Sequence, residues 1–201
     1  MECAIPLFPE RTLHLLLLTG LGAEELALLA SDVASHALDV ALLDPSLTPS
    51  PRCVASAAAK ALLTLSSRGR PVAGTLHGDL VRCLLGTKSV GDAHRLLACP
   101  RGGAALLAVI DAARGIGGVP GGGGSSTAEA NLAALAARAG GVPAAAPAAG
   151  AAWFSGGGVD AAAVAAAWRV PPAELQLGVE GGFDALEAAV LVRIGCGVDV
   201  A

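Results

Sequence analysis

The sequence predicts an α+β fold: a single domain in which a mixed β-sheet of about four or five short strands packs with several α-helices. Three observations predict it. Two short apolar runs of strand length, Arg11–Leu18 (RTLHLLLL) and Ala104–Ile110 (AALLAVI), sit among turn formers. Segments with helical spacing and capping signals lie between and after them. The length, 201 residues, suits one domain that can bury a core without a disulfide or metal staple.

Taken in order, Arg11–Leu18 reads as a buried strand bounded by Pro9 and Gly20. Ala23 to about Ser35 has helical composition, with Glu24 and Glu25 in the first turn, where the helix dipole favours acids. Val40–Leu43 is a second short strand, and DPSLTPSP is loop. Ser50 then supplies an N-cap and Pro51 the first helical position of a helix to about Ser67, with Val54, Ala58, Ala61 and Leu65 as its inward stripe and Gly69 as its end. Lys60 projects away from that stripe as an exposed side chain with no acid within a helical turn.

Leu76–Leu85 is a further helix capped by Thr75, and Ser89–Cys99 another, joined by the turn GTKS at 86–89. Beyond Ile110 the composition shifts. Residues 115–127 and 140–158 are rich in Gly, Ala and Pro, offer little side chain to bury, and read as flexible insertions. Ala128–Ala139 between them is helical, as is Asp160–Trp168, which Pro171-Pro172 stops. The last helix, Phe183–Ile194, turns Phe183, Leu186, Val190 and Ile194 inward. Its other side, Ala185, Ala188, Ala189, Leu191 and Val192, carries no charge at its centre. A helix apolar on both sides is either enclosed by the fold or has a face for another protein.

Composition narrows the function classes. Although 54% of residues are apolar, the best candidate span, Leu13–Ala30, contains Gly20, Gly22, Glu24 and Glu25, so no membrane-spanning helix is expected. The N-terminus MECAIPLFPE has acids where an export signal needs basic residues. Cys3, Cys53, Cys83, Cys99 and Cys196 are odd in number and lack C-x-x-C spacing, which points to a reducing compartment, with free thiols filling core sites rather than binding metal. Net charge is −4 but unevenly placed. Arg52 to Arg101 holds eight basic residues against two acids, a net of +6, which leaves −10 elsewhere, five basic against fifteen acidic. Such segregation suits a phosphate backbone or an acidic partner, and it makes Lys60, Arg70, Arg82, Lys88 and Arg95 candidate contacts.

No catalytic set is expected. GTKS lacks the glycine that a P-loop needs five residues earlier, where Val81 stands. His77 and Asp79 are two apart and diverge on a helix, and His14 in a strand reads as a satisfied polar tip. No nucleophilic elbow, zinc motif or aromatic stacking platform is present, and no cofactor is implied.

The order of several segments resembles a known family. LFPE with the leucine strand, DPSLTPSPRCVASAAAKALL, LLGTKSVGDAHRLLACP, VAAAWRVPPAEL and ALEAAVLVRIGCGVDV are together similar to the PRPK-binding subunit family of the KEOPS complex, over Leu7–Ile110 and Asp160–Val200. The glycine-rich and Ala/Pro stretches are longer than usual there, Trp168 stands where Tyr is common, and Arg101-Gly-Gly replaces a more acidic turn. The resemblance implies a non-enzymatic subunit that docks on the small kinase-like ATPase and modulates it. It also implies help in recruiting tRNA, by its 3′ CCA end, for threonylcarbamoylation of the adenosine beside the anticodon, in cytoplasm and nucleus. It carries Lys60 and Lys88 onto basic positions of the family's central helix and glycine turn. The last helix, with Ala185, Ala188, Leu191 and Val192, falls on the partner-docking region, and other KEOPS subunits would be met indirectly. Two further readings stand beside it: an adaptor for an acidic partner without RNA, and a small-molecule enzyme using Cys or His chemistry.

Overall fold

The computed structural model of the chain describes residues 1–35, 39–97, 103–111, 132–133, 135–137, 140, 142–143, 161–176 and 182–196. The fold class is α+β, as the sequence predicts. Strands β1 (Glu2–Ile5), β2 (Phe8–Thr19), β3 (Ala41–Leu43), β4 (Ala104–Ile110) and β5 (Val142–Pro143) form one sheet in the order β1-β2-β4-β3, with β5 on the end of β2. Every described pairing is antiparallel, a simpler ladder than the expected mixed sheet.

The period-2 alternation of strand side chains divides the core in two. Leu13, Leu15 and Leu17 of β2, Ala41 and Leu43 of β3, and Leu106, Ala108 and Ile110 of β4 face one way. Their neighbours Leu18, Leu42, Ala105 and Leu107 face the other. Continuous apolar runs are what a sheet covered on both faces requires. On the first face lie helices α2 (Pro51–Arg68), α3 (Leu76–Leu85), α4 (Val90–Leu97), α5 (Ala161–Ala167), α6 (Pro172–Gln176) and α7 (Gly182–Cys196). On the second lie α1 (Ala23–Ala34) and helical residues 132, 133 and 135–137.

The first hairpin departs from the sequence reading, which began the strand at Arg11. Pro6 and Pro9 look like breakers, yet Pro6 sits in the hairpin turn and Pro9 in an irregular stretch between the pairs Ile5↔Phe8 and Ala4↔Thr12. The turn holds Leu7 at φ +68°, a left-handed conformation that costs a leucine about 1–2 kcal/mol. Residues 142–143 depart as well. They form β5 within a stretch expected to be a flexible insertion; the segment 115–127 and residues 144–158 lie outside the described residues.

The helices are built as their caps dictate. Ser50 Oγ accepts from Cys53 N (3.3 Å) and Pro51 opens α2, while Gly69 closes it at φ +71°. Alanines at 55, 57, 58, 59 and 61 are all buried, which lets α2 approach the sheet and its neighbouring helices closely. Thr75 caps α3, accepting from Gly78 N at 2.9 Å. Pro171-Pro172, expected to stop a helix, also starts one, since Pro172 occupies the first position of α6.

Candidate interaction surface

Helix α7 is the element on which the predicted docking face rests. Leu186, Val190 and Ile194 are buried as expected, whereas the Phe183 side chain lies outside the described residues. The outward side is narrower than the sequence reading placed it. Ala189 is buried, and Leu191 is half-buried against the core beneath. Ala185 is half-buried; Ala188 and Val192 are exposed, Val192 at 58%. Helix α7 is in contact with α2, α3, α5 and α6, so more than one stripe is covered and a wheel projection alone overestimates the free face.

The cap and a side chain of α2 hold α7 at its middle and in its last turn. Ser50 Oγ donates to Glu187 Oε1, which puts a carboxylate at the α2 N-terminus, where the helix dipole favours it. Ten residues on, Lys60 Nζ donates to the Ile194 carbonyl (2.5 Å) in the last turn of α7. Ammonium groups are favoured there because the final carbonyls of a helix lack partners. Lys60 is therefore half-buried and engaged, which corrects its reading as an exposed, unpartnered lysine. Sequence spacing within α2 carried no sign of this bond, because the acceptor lies far along the chain.

The glycine turn comes to the same place. Gly86 ends α3 at φ +72°, and a Cβ there would lie 3.1 Å from the Arg193 carbonyl oxygen. Glycine is needed twice over, for the backbone conformation and for the approach of α7. Lys60, the turn leading to Lys88 and the end of α7 thus form one junction. Arg193 fastens its far side, donating to both carboxylate oxygens of Glu174 (2.9 and 3.1 Å) and to the Ala189 carbonyl (3.0 Å). The hydrogen bond from Arg193 holds the Glu174 carboxyl below its ordinary value.

The remaining predicted cations do not gather at this junction. Arg82 is half-buried and donates through Nε to Asp79 Oδ1 (3.1 Å). Asp79 is fully buried and also accepts from Val72 N (2.8 Å) and Ala73 N (3.1 Å), so the pair organises the α2–α3 connection. Arg70, exposed, sits in that connection at the start of α3. Lys88, also exposed, lies beyond the opposite end of the helix, about 15 Å away along its axis. Arg95 is exposed and pairs with Asp92 at 3.0 Å.

Two histidines are paired with acids but do not form a nucleophilic set. His77 Nε2 accepts from the Ile110 amide (2.9 Å), so the ring proton sits on Nδ1 and is donated to Asp39 Oδ1 (2.6 Å). Beyond the start of β3 an imidazole thus supplies the acceptor that a longer strand would have given to β4. His14 Nε2 meets Asp111 Oδ2 at 2.7 Å. Neither imidazole is hydrogen-bonded to a hydroxyl or thiol among the described residues.

The thiols of Cys3, Cys53 and Cys83 are equally unsuited to chemistry. Burial pushes Cys53 up to about 12 and raises Cys83 and Cys3, while a reactive cysteine needs the opposite shift and access. Cys196, at the end of α7, is exposed; Cys99 lies outside the described residues. Iodoacetamide added to the native protein at neutral pH should alkylate Cys196 within minutes and leave Cys53 and Cys83 unmodified until denaturant is added. Mass spectrometry of tryptic peptides measures this, and rapid native labelling of Cys53 would contradict its burial.

Among the described residues no helix is long and apolar enough to cross a membrane, and no group of His, Cys, Asp and Glu side chains is placed to hold a metal ion. No protein-family model matches the chain, and no curated protein matches it at a significant level.

Proposed function

We propose that this chain works by contact rather than catalysis, as a KEOPS-type subunit that docks through α7 on the kinase-like ATPase and helps bring tRNA to the complex, in cytoplasm and nucleus. The observation that supports it best is the junction at the end of α7. There the helix carrying the exposed Ala188 and Val192, the lysine of α2 and the glycine turn before Lys88 converge, although they are remote in sequence. The resemblance assigns these segments to partner docking and RNA contact. Lys88 and Arg70 are exposed and offer charge to a phosphate backbone. Lys60 and Arg82 contribute through structure, because each already holds a partner inside the protein.

The test is co-expression with the KEOPS kinase-like subunit, followed by size exclusion with and without tRNA. Val192→Glu should abolish co-elution with the kinase-like subunit and leave the circular dichroism spectrum unchanged, since charge in a desolvated interface is costly. Leu191→Glu is the poorer probe, because Leu191 packs against the core and its loss would disturb the fold. Lys88→Glu should weaken tRNA binding by about tenfold at low salt and reduce the slope of log affinity against log salt by roughly one. A Val192→Glu protein that still co-elutes would remove α7 from the interface. An unchanged tRNA titration would remove Lys88 from the RNA contact.

One observation favours the adaptor reading in part: two of the five basic candidates, Lys60 and Arg82, are committed internally, which thins the cationic surface. Bulk tRNA separates the two. It should compete with an RNA-dependent complex and leave a purely protein-bound one intact.

A further inference from the structure

At the outer edge of β3 a cavity of about 230 Å³ opens between α1 and α3. Val33 and Ala34 line it from the α1 side of the sheet, Gly78 and Val81 from the α3 side. Ala41 and Leu42 line it too, although their side chains belong to opposite faces. A space reached from both faces at once lies at the strand margin, where the backbone itself is presented.

The backbone there has one rung to spare. The Ile110 amide points to the β3 side of β4, where His77 takes it, and the Asp111 amide bonds the Thr12 carbonyl on the β2 side. Bonding groups alternate along an antiparallel strand, so Leu106 and Ala108 are the residues that bond β3, opposite Leu43 and Ala41. Leu42, between these two, turns its N–H and C=O away from β4. The Asp44 amide points the same way and is taken by the Leu97 carbonyl (2.6 Å). Leu42 has no such partner among the described residues, yet it is 1% exposed. Buried backbone groups left unpaired are rare, and these two border a cavity.

We propose that this cavity binds a small neutral molecule with one planar amide edge, a lactam or a primary carboxamide, laid against Leu42. Its N–H donates to the Leu42 carbonyl and its C=O accepts from the Leu42 amide. A carboxylate could serve only the amide and an ammonium only the carbonyl, so a charged ligand leaves one buried group unpaired. An added strand is a poorer occupant. Leu97 closes one end of the edge and His77, bonded to Asp39, closes the other, which leaves a single rung. The cavity is smaller than the roughly 300 Å³ at which drug-sized sites begin, so it suits a ligand of one or two rings. The site shares no residue with the α7 docking face and does not depend on it.

The probes are 2-quinolone, a lactam, and coumarin, a ring system of the same size in which an oxygen replaces the N–H. In an amide NMR titration of the intact chain, 2-quinolone should bind saturably and move the Leu42 amide proton downfield, with an affinity about tenfold above that of coumarin. Ala34→Trp, at the exposed end of α1 and on the rim of the cavity, should abolish the shifts from both probes and leave the circular dichroism spectrum unchanged. Equal affinities in the unsubstituted protein would overturn the donor requirement. Saturation that leaves the Leu42 amide unmoved, shifts that persist in Ala34→Trp, or no saturation by either probe would overturn the site. Should Ala34→Trp fail to fold, the Leu42 shift and the ratio of the two affinities in the unsubstituted chain still decide the matter.

Discussion

Replacing Asp79 with Ala is expected to cost about 3–5 kcal/mol, the range found when one partner is removed from a buried ion pair. The carboxylate is fully buried and is asked to do three things at once. It accepts the Val72 and Ala73 amides and holds the Arg82 guanidinium, all from the first turn of α3, where the helix dipole adds its own attraction. Truncation leaves two amides and a half-buried cation without their acceptor. Asp79→Asn, which keeps one acceptor oxygen, should lose less, about 1–3 kcal/mol. Urea unfolding of the three proteins measures the series, and a loss below about 1 kcal/mol for the alanine variant would show that water replaces the carboxylate. The same pair governs how Arg82 is tested for RNA binding: weaker binding by an Arg82 variant means something only once its stability has been measured.

Trp168→Ala should be comparably damaging, at about 3–5 kcal/mol. The indole is 1% exposed, is packed into the larger core, and donates from Nε1 to the Leu84 carbonyl (3.1 Å) in the last turn of α3. Two effects combine there, a cavity and an orphaned helix-terminal carbonyl. Trp168→Phe separates them: it keeps most of the ring volume and removes the donor, so it should cost about 1–3 kcal/mol. A domain of this size has about 5–15 kcal/mol in all, so the alanine variant should unfold at markedly lower urea. Near-equal losses for the two variants would assign the effect to the hydrogen bond and not to packing.

Much of the architecture was legible because local rules and burial agree. β4 is the apolar run Ala104–Ile110 with unchanged ends, and α2 and α3 begin at the residues that Ser50 and Thr75 cap. The failures are places where an outside contact decides. Prolines at 6 and 9 disguised the β1–β2 hairpin, since proline is barred from a ladder but admitted to its turn and irregularities. The free face of α7 was overestimated because only packing tells Leu191 and Ala189 from Ala188 and Val192. The candidate site was legible as a set of segments but not as an assembly. Nothing near Lys60 in sequence announces the Ile194 carbonyl, and nothing near Gly86 announces the backbone of Arg193.

The imidazole of His77 on the Ile110 amide has a consequence for behaviour at high concentration. A three-residue β3 leaves the margin of the sheet short, and an amide pointing outward from such a margin would recruit any extended segment of a neighbouring molecule. The side chain fills that vacancy, so this one amide of β4 is taken inside the molecule and offers no ladder position to a second chain.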